Sequence, residues 1–233
     1  MQTIFFDIET GPLPEDELAA LVPSFDPAEV KTGNLKDPDK IAAKLAEAEA
    51  NHLRDYVEKA ALDPLTGRVL AVGLLNVTPH RGPLPSAERK DCSEFVILGH
   101  DDEAAILREF WQMAQGEMGR VNQMVGFNSN AFDLPFLIRR SWRHRVAVPF
   151  GIRRGRYWSD QMIDLRDAWQ LGDRQARGSL DSIAKHLGLG AKNGHGADFA
   201  RLWKSDRTQA VGYLRNDLQL TASIADALGC IAG

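Results

Sequence analysis

The chain has 233 residues, enough for one large domain with a buried core. Its net charge of -4 excludes the strongly basic proteins that coat nucleic acid indiscriminately, though not a local basic patch. Cys92 and Cys230, its 2 cysteines, stand too far apart for a disulfide framework, and no apolar run approaches the ~20 residues of a membrane span.

The first element, TIFFDIE at Thr3–Glu9, reads as a buried strand: short, β-branched and aromatic, and stopped by Thr10-Gly11-Pro12. Side chains alternate along a strand, so Asp7 and Glu9 share a face and can reach one point near its end. No signal peptide precedes this strand, and a soluble cytoplasmic protein is expected. After a connector holding Pro12, Pro14, Pro23 and Pro27, Asp37 and Pro38 make a helix start, an Asp cap followed by proline. The helix should run on through an Ala-, Glu-, Lys- and Leu-rich stretch and stop before Pro64. Ile41, Leu45 and Leu53 are among its apolar positions. RVLAVGLLNV gives a second strand, Pro79 to Pro85 a loop, and EFVILG a third strand. Asp101 opens a helix to about Gly116; QMVGFN is a fourth strand, and FDLPFLIRRSWRHR a helix with Pro135 in its first turn. A fifth strand is expected around Trp158–Leu165, leading into a helix around Arg166–Leu171. Ser179 caps the short helix LDSIAKHLG, and Ser205 or Asp206 starts a long one to about Leu228. Strands come first and helices later, which predicts an α/β domain with a mixed sheet.

Three acidic segments span this order: FFDIET at Phe5–Thr10, VGFNSNAFDLPFL at Val125–Leu137 and YLRNDLQLT at Tyr213–Thr221. They offer Asp7, Glu9, Asp133 and Asp217, each beside apolar residues. Carboxylates so placed are costly unless they are paired or hold cations, and hard oxygen ligands favour Mg²⁺ or Mn²⁺ over zinc. The pattern points to a metal-dependent enzyme acting on phosphate esters. Tyr213 and Asp217 are i, i+4 on a helix, hence on one face, where a phenol can orient a water. A cationic run, Arg139, Arg140, Arg143, His144 and Arg145, continues through Arg153, Arg154 and Arg156 to Tyr157 and Trp158, with no acidic residue between Asp133 and Asp160. Arginines interleaved with aromatics suit phosphates and unstacked bases.

The order and wording of the three segments resemble the DEDD superfamily of 3′–5′ exonucleases, and within it the proofreading exonuclease domain of family B DNA polymerases. FDIET is similar to that family's first motif, GFNSNAFDLPFL to its second and YLRND to its third; the likeness runs over roughly residues 3 to 226. Another branch of the superfamily places a histidine five residues before the last aspartate; Gly212 stands there, and Tyr213 stands four before, so the chain resembles the tyrosine (DEDDy) type. The resemblance implies a ribonuclease H-like fold with a five-stranded mixed sheet flanked by helices. It implies a single exonuclease-like domain over 1–233; a helical insertion expected at about 14–61 departs from the family's compact pattern, in which the first two strands follow more closely. It also implies catalysis by two ions, Mg²⁺ or Mn²⁺: Asp7 bridging both, Glu9 and Asp217 on the ion that holds the nucleophile, Asp133 supporting the second, and Tyr213 orienting the nucleophile. Thr10, Asn128, Phe132, Arg153, Arg154 and Arg156 are the expected substrate contacts. The partner is nucleic acid with a single-stranded or frayed 3′ end, single-stranded DNA being favoured.

Plainer readings stand beside these. Asp133 can serve the start of its helix, Tyr213 can pack on a core, the arginine run suits a solvated face, and His195 between two glycines reads as a loop residue. Two other functions fit parts of the pattern. A catalytically silent nucleic-acid-binding module would share the fold, but has no need of every carboxylate. A haloacid dehalogenase-type phosphatase shares DIET only loosely, because Glu9 departs from its pattern and no convincing later acidic pair appears. Within 233 residues there is no room for a polymerase, so a stand-alone nuclease is expected.

Overall fold

The computed structural model of the chain describes residues 2–77, 93–116, 122–149, 161–173 and 175–231. The expected loop at 79–85, Cys92, Arg153, Arg154 and Arg156, Tyr157 and Trp158 lie outside these residues. Two compact units are present, residues 1–9 with 69–233 and residues 10–68.

In chain order the elements are β1 (Thr3–Pro12), α1 (Glu15–Ala19), α2 (Pro38–Ala60), β2 (Gly67–Val77), β3 (Ser93–Leu98), α3 (Glu103–Ala114), β4 (Gln123–Gly126), α4 (Asp133–Arg143), β5 (Met162–Asp164), α5 (Leu165–Gln170), α6 (Leu180–His186), α7 (Phe199–Ser205) and α8 (Arg207–Ala227). One five-stranded sheet has the order β3-β2-β1-β4-β5. β3 lies antiparallel to β2, while β1, β4 and β5 run parallel, with Phe5 opposite Val125 and Gly126 opposite Asp164. The mixed α/β sheet expected from the sequence is therefore present. Its parallel strands aim their carboxyl ends one way, the edge where such sheets gather their functional side chains.

Alternation along β1 sorts the core into two faces. Ile4, Phe6 and Ile8 pack with Ile106, Phe110, Leu134 and Leu137 of α3 and α4. Phe5 turns the other way, to Leu165, Ile183, Leu218 and Ile224 from α5, α6 and α8. Asp7 and Glu9 follow the parity of Phe5, and so face the layer that carries Asp217. Gly73 on β2 lets α8 come close: a Cβ there would sit 2.7 Å from Leu214 Cγ.

Helix starts follow local chemistry. Asp37 accepts from the Asp39 N–H at 3.0 Å with proline at the first position, and Asp206 caps α8 through the Gln209 N–H at 3.0 Å. Ser179 and Ser182 form a capping box on α6. The cap of α3 is Asp102 rather than Asp101, since its carboxylate accepts from Ala104 N–H at 2.9 Å. α7 is unannounced in the sequence.

Residues 10–68 hold a small core of Leu13, Leu18 and Ala60 with Tyr56 beside it, and close on themselves where Leu13 N–H donates to the Thr66 carbonyl at 2.9 Å. The long α2 appears where expected, yet Ala60 is its one buried residue among those described, and Leu53 is 60% exposed. Ile41, Leu45 and Tyr56 are half-buried.

Candidate active site

β1 delivers Asp7 and Glu9 past the end of its pairing with β4. α8, packed on the same face, brings Asp217 from the far end of the sequence. One ligand oxygen from each of the three lies within 4.8 Å of the others. Asp133 enters from the first turn of α4 and accepts the backbone N–H of Ile8 at 3.1 Å, which ties it to the strand between Asp7 and Glu9. The four sequence-predicted carboxylates thus converge, three as a potential ligand set and the fourth beside it.

Their electrostatics are those of crowded acids in a poorly solvated place. Burial and then the charges of Asp133 and Asp217 push the Asp7 carboxyl well above the usual range. Glu9 is raised likewise, by burial and then by Asp7. Burial lifts Asp133 to about 7 against the backbone bond from Ile8. Asp217 is raised by burial, with Lys192 opposing.

Tyr213, a turn before Asp217 on α8, is buried, and its phenol is near enough to the Asp217 carboxylate to favour the carboxylate's charged form. Burial and then the charge of Glu9 hold the phenol far above its ordinary value, so it keeps its proton throughout the neutral range. The segment 190–196 lies against its ring: a Cβ on Gly194 would approach Tyr213 Cδ2 to 2.9 Å. Lys192 in this segment sets its ammonium 2.5 Å from Asp217 Oδ2 and 5.0 Å from the centre of the Tyr213 ring. Sequence reasoning misses Lys192. It sits in a glycine-interrupted loop without periodicity, and only the fold brings it to the carboxylates. His195, in the same loop, is exposed and helps line a cavity of about 260 Å³ that Tyr213 also borders.

The remaining expected contacts are dispersed. Thr10 follows Glu9 on β1 as the first residue of the other unit. Asn128 and Phe132 lie in the turn between β4 and α4, Phe132 against Phe136 with ring centres 5.6 Å apart. Asp164 caps α5 through the Arg166 N–H at 2.9 Å. Arg140, part of the cationic run, is turned inward: it is 4% exposed and pairs with Glu103 at 2.7 Å. Arg139, Arg143 and Arg145 are exposed.

The donor set suits a hard divalent cation. It is all carboxylate oxygen, its members repel one another, and Asp217 Oδ1 is buried with no hydrogen-bond partner, an atom whose burial a cation would compensate. The linkage has a definite sign. Asp133 titrates at about 7 in the folded chain against 3.8 in a model peptide, so the stability it contributes is full below about pH 4 and lost as pH rises through 7. Asp7, Glu9 and Asp217 are shifted the same way. In EDTA, the thermal midpoint is expected to fall between about pH 5 and pH 8, and Mn²⁺ should restore most of the loss. Calorimetry across that window checks this; a flat profile in EDTA would mean that the carboxylates are not held charged against one another.

A family described as a predicted 3'-5' exonuclease related to the exonuclease domain of PolB matches residues 84–221, more than half of the chain. The matched part contains Asp133, Tyr213 and Asp217, whereas Asp7 and Glu9 precede it. Among solved structures, the family B DNA polymerase from the hyperthermophilic archaeon Pyrobaculum calidifontis is similar over 98% of this chain and 24% of its own, with a TM-score of 0.59 and 17% identity. The chain thus spans about a quarter of that polymerase, and the likeness shows the fold, which is ribonuclease H-like. No curated protein sequence matches the chain.

Proposed function

Because the chain belongs to the predicted 3'-5' exonucleases related to the exonuclease domain of PolB, we propose that it is a stand-alone, metal-dependent 3′–5′ exonuclease that hydrolyses the terminal phosphodiester of single-stranded or frayed nucleic acid, single-stranded DNA being favoured. The observation that carries this reading is the meeting of Asp7, Glu9 and Asp217 within 4.8 Å.

Asp7, Glu9 and Asp217 would hold the cations, with Asp133 completing the set. When bound, two Mg²⁺ or Mn²⁺ ions supply Lewis acidity for hydroxide formation near neutral pH and for charge build-up on the leaving 3′-oxygen. The protein's own groups do the rest. The protonated phenol of Tyr213 offers a hydrogen bond that orients the attacking water rather than attacking phosphorus. Lys192 counters the negative charge of Asp217 and stands where a phosphate would find a positive group. Asn128, Phe132 and Thr10 contact the terminal nucleotide, and Arg153, Arg154 and Arg156 the strand behind it. The segment at about 14–61 is read as a helical insertion in one exonuclease-like domain. Among the described residues no helix is long and apolar enough to cross a membrane, and a cytoplasmic enzyme goes with this reading.

The test is direct. With Mg²⁺ or Mn²⁺, the purified protein is expected to shorten a 5′-labelled single-stranded oligonucleotide from its 3′ end, and EDTA should stop it. A phosphorothioate at the 3′-terminal linkage should slow digestion; unaltered digestion would mean that the polarity is wrong. DNA and RNA strands of matched sequence, run beside intact and mismatched duplexes, identify the substrate.

A further inference from the structure

The turn between β4 and α4 is held more tightly than chain reversal requires. Asn128 stands at φ 60, a left-handed conformation uncommon outside glycine, although asparagine tolerates it. One carboxylate fixes the turn from below: Asp164 accepts the backbone N–H of Asn128 at 2.8 Å, of Asn130 at 2.9 Å and of Arg166 at 2.9 Å. Phe132 N–H closes the turn on the Asn128 carbonyl at 3.1 Å, one residue before Asp133. The Asn128 amide is therefore anchored to the backbone that delivers a carboxylate to the site.

Its side chain is fixed as well. Arg166 Nη1 donates to Asn128 Oδ1 at 2.8 Å. A guanidinium carries donors and no acceptor, so the amide can face it only through oxygen. The amide NH₂ must then point the other way, and among the described residues it donates to nothing. Arg166 makes no ion pair among these residues, and its Nε is buried without a partner. A cation kept half-buried for one bond to a neutral amide is a costly arrangement. Its effect is to decide which end of Asn128 is presented.

We infer that Arg166 is a positioning residue that locks the Asn128 amide so that its NH₂ meets an acceptor oxygen of the 3′-terminal nucleotide. The inference rests on the exonuclease reading above. That oxygen belongs to a phosphate or a sugar hydroxyl. A methylphosphonate at the terminal linkage and a 3′-deoxy terminus distinguish the two, as the sensitive substrate is the one whose loss Asn128→Ala no longer worsens.

The experiment measures kcat and KM on a 5′-labelled single strand, with binding followed separately by fluorescence anisotropy in EDTA. Asn128→Ala and Arg166→Met are each expected to raise KM about tenfold, the scale of one hydrogen bond to a charged group, with kcat moving less. The double variant should be no worse than Asn128→Ala alone, because the arginine acts through the asparagine. Arg166→Lys, which keeps a donor, should recover part of the loss. Asn128→Asp keeps a partner for Arg166 but lacks the NH₂, and should lose as much as Asn128→Ala even if Arg166→Met fails to fold. Multiplying losses in the double variant, or a wild-type KM in Asn128→Asp, overturn the assignment. If those appear while the wild-type protein digests the strand, only the positioning role is lost. A wild-type protein that neither binds nor shortens the strand removes the exonuclease reading and this inference with it.

Discussion

Asp7→Ala is expected to lower turnover on a single-stranded oligonucleotide by about three orders of magnitude or more, while strand binding in EDTA stays near the wild-type level. Asp7 is the carboxylate that burial, Asp133 and Asp217 together disfavour as an anion, so the fold tolerates its charge rather than gaining from it. Removing that charge should raise the thermal midpoint of the EDTA-treated protein even as activity disappears. These opposite signs separate a ligand from a residue that merely holds the sheet together, for which activity and stability would fall in parallel. Tyr213→Phe removes only the orienting hydroxyl and should cost less than Asp217→Ala. A wild-type rate in Asp7→Ala would refute the metal assignment.

Arg140→Met should cost about 3–5 kcal/mol of stability, because it leaves a buried carboxylate without its main partner. Glu103, 7% exposed, accepts from Val69 N–H at 2.8 Å and from Arg140 at 2.9 and 2.7 Å, and lies 2.8 Å from His144 Nε2. Burial by itself would raise the Glu103 carboxyl, but the bonds from Arg140 and Val69 outweigh it and the group sits below its ordinary value. A depressed carboxylate lends stability above its unfolded value near 4.5, and that support is lost as pH falls below it. The variant's deficit should accordingly shrink in acid. Urea unfolding at two pH values measures it. Strand binding and its salt dependence should be unchanged at permissive temperature, since Arg140 does not reach the surface. A flattened salt slope in Arg140→Met would return this residue to the nucleic-acid face.

Much of the architecture is legible in the chain because it is written locally. The strands are β-branched and aromatic runs, Asp37, Ser179 and Asp206 are caps with their helices directly after, and the parity of Asp7 and Glu9 follows from a two-residue period. What is hidden depends on partners remote in sequence. Ile41, Leu45 and Leu53 have helical spacing, but spacing does not say whether a surface waits to cover them, and in their own unit none does for Leu53. α7 is marked by no cap bond of its own and gains its place through Phe199, which packs with Leu70 and Ala71 of β2 and Leu214 of α8. Lys192 meets Asp217 across 25 positions of loop and helix, beyond any periodic rule. Arg140 could have been found: it falls three residues after Leu137 and four after Phe136, on the buried stripe of α4 rather than its wet side.

The ligand set joins a strand beginning at residue 3 to a helix ending at residue 227. During translation Asp7 and Glu9 leave the ribosome long before Asp217 is made. A nascent chain, or any fragment severed before α8, therefore lacks the complete carboxylate set. The full carboxylate set exists only once Asp217 has been made.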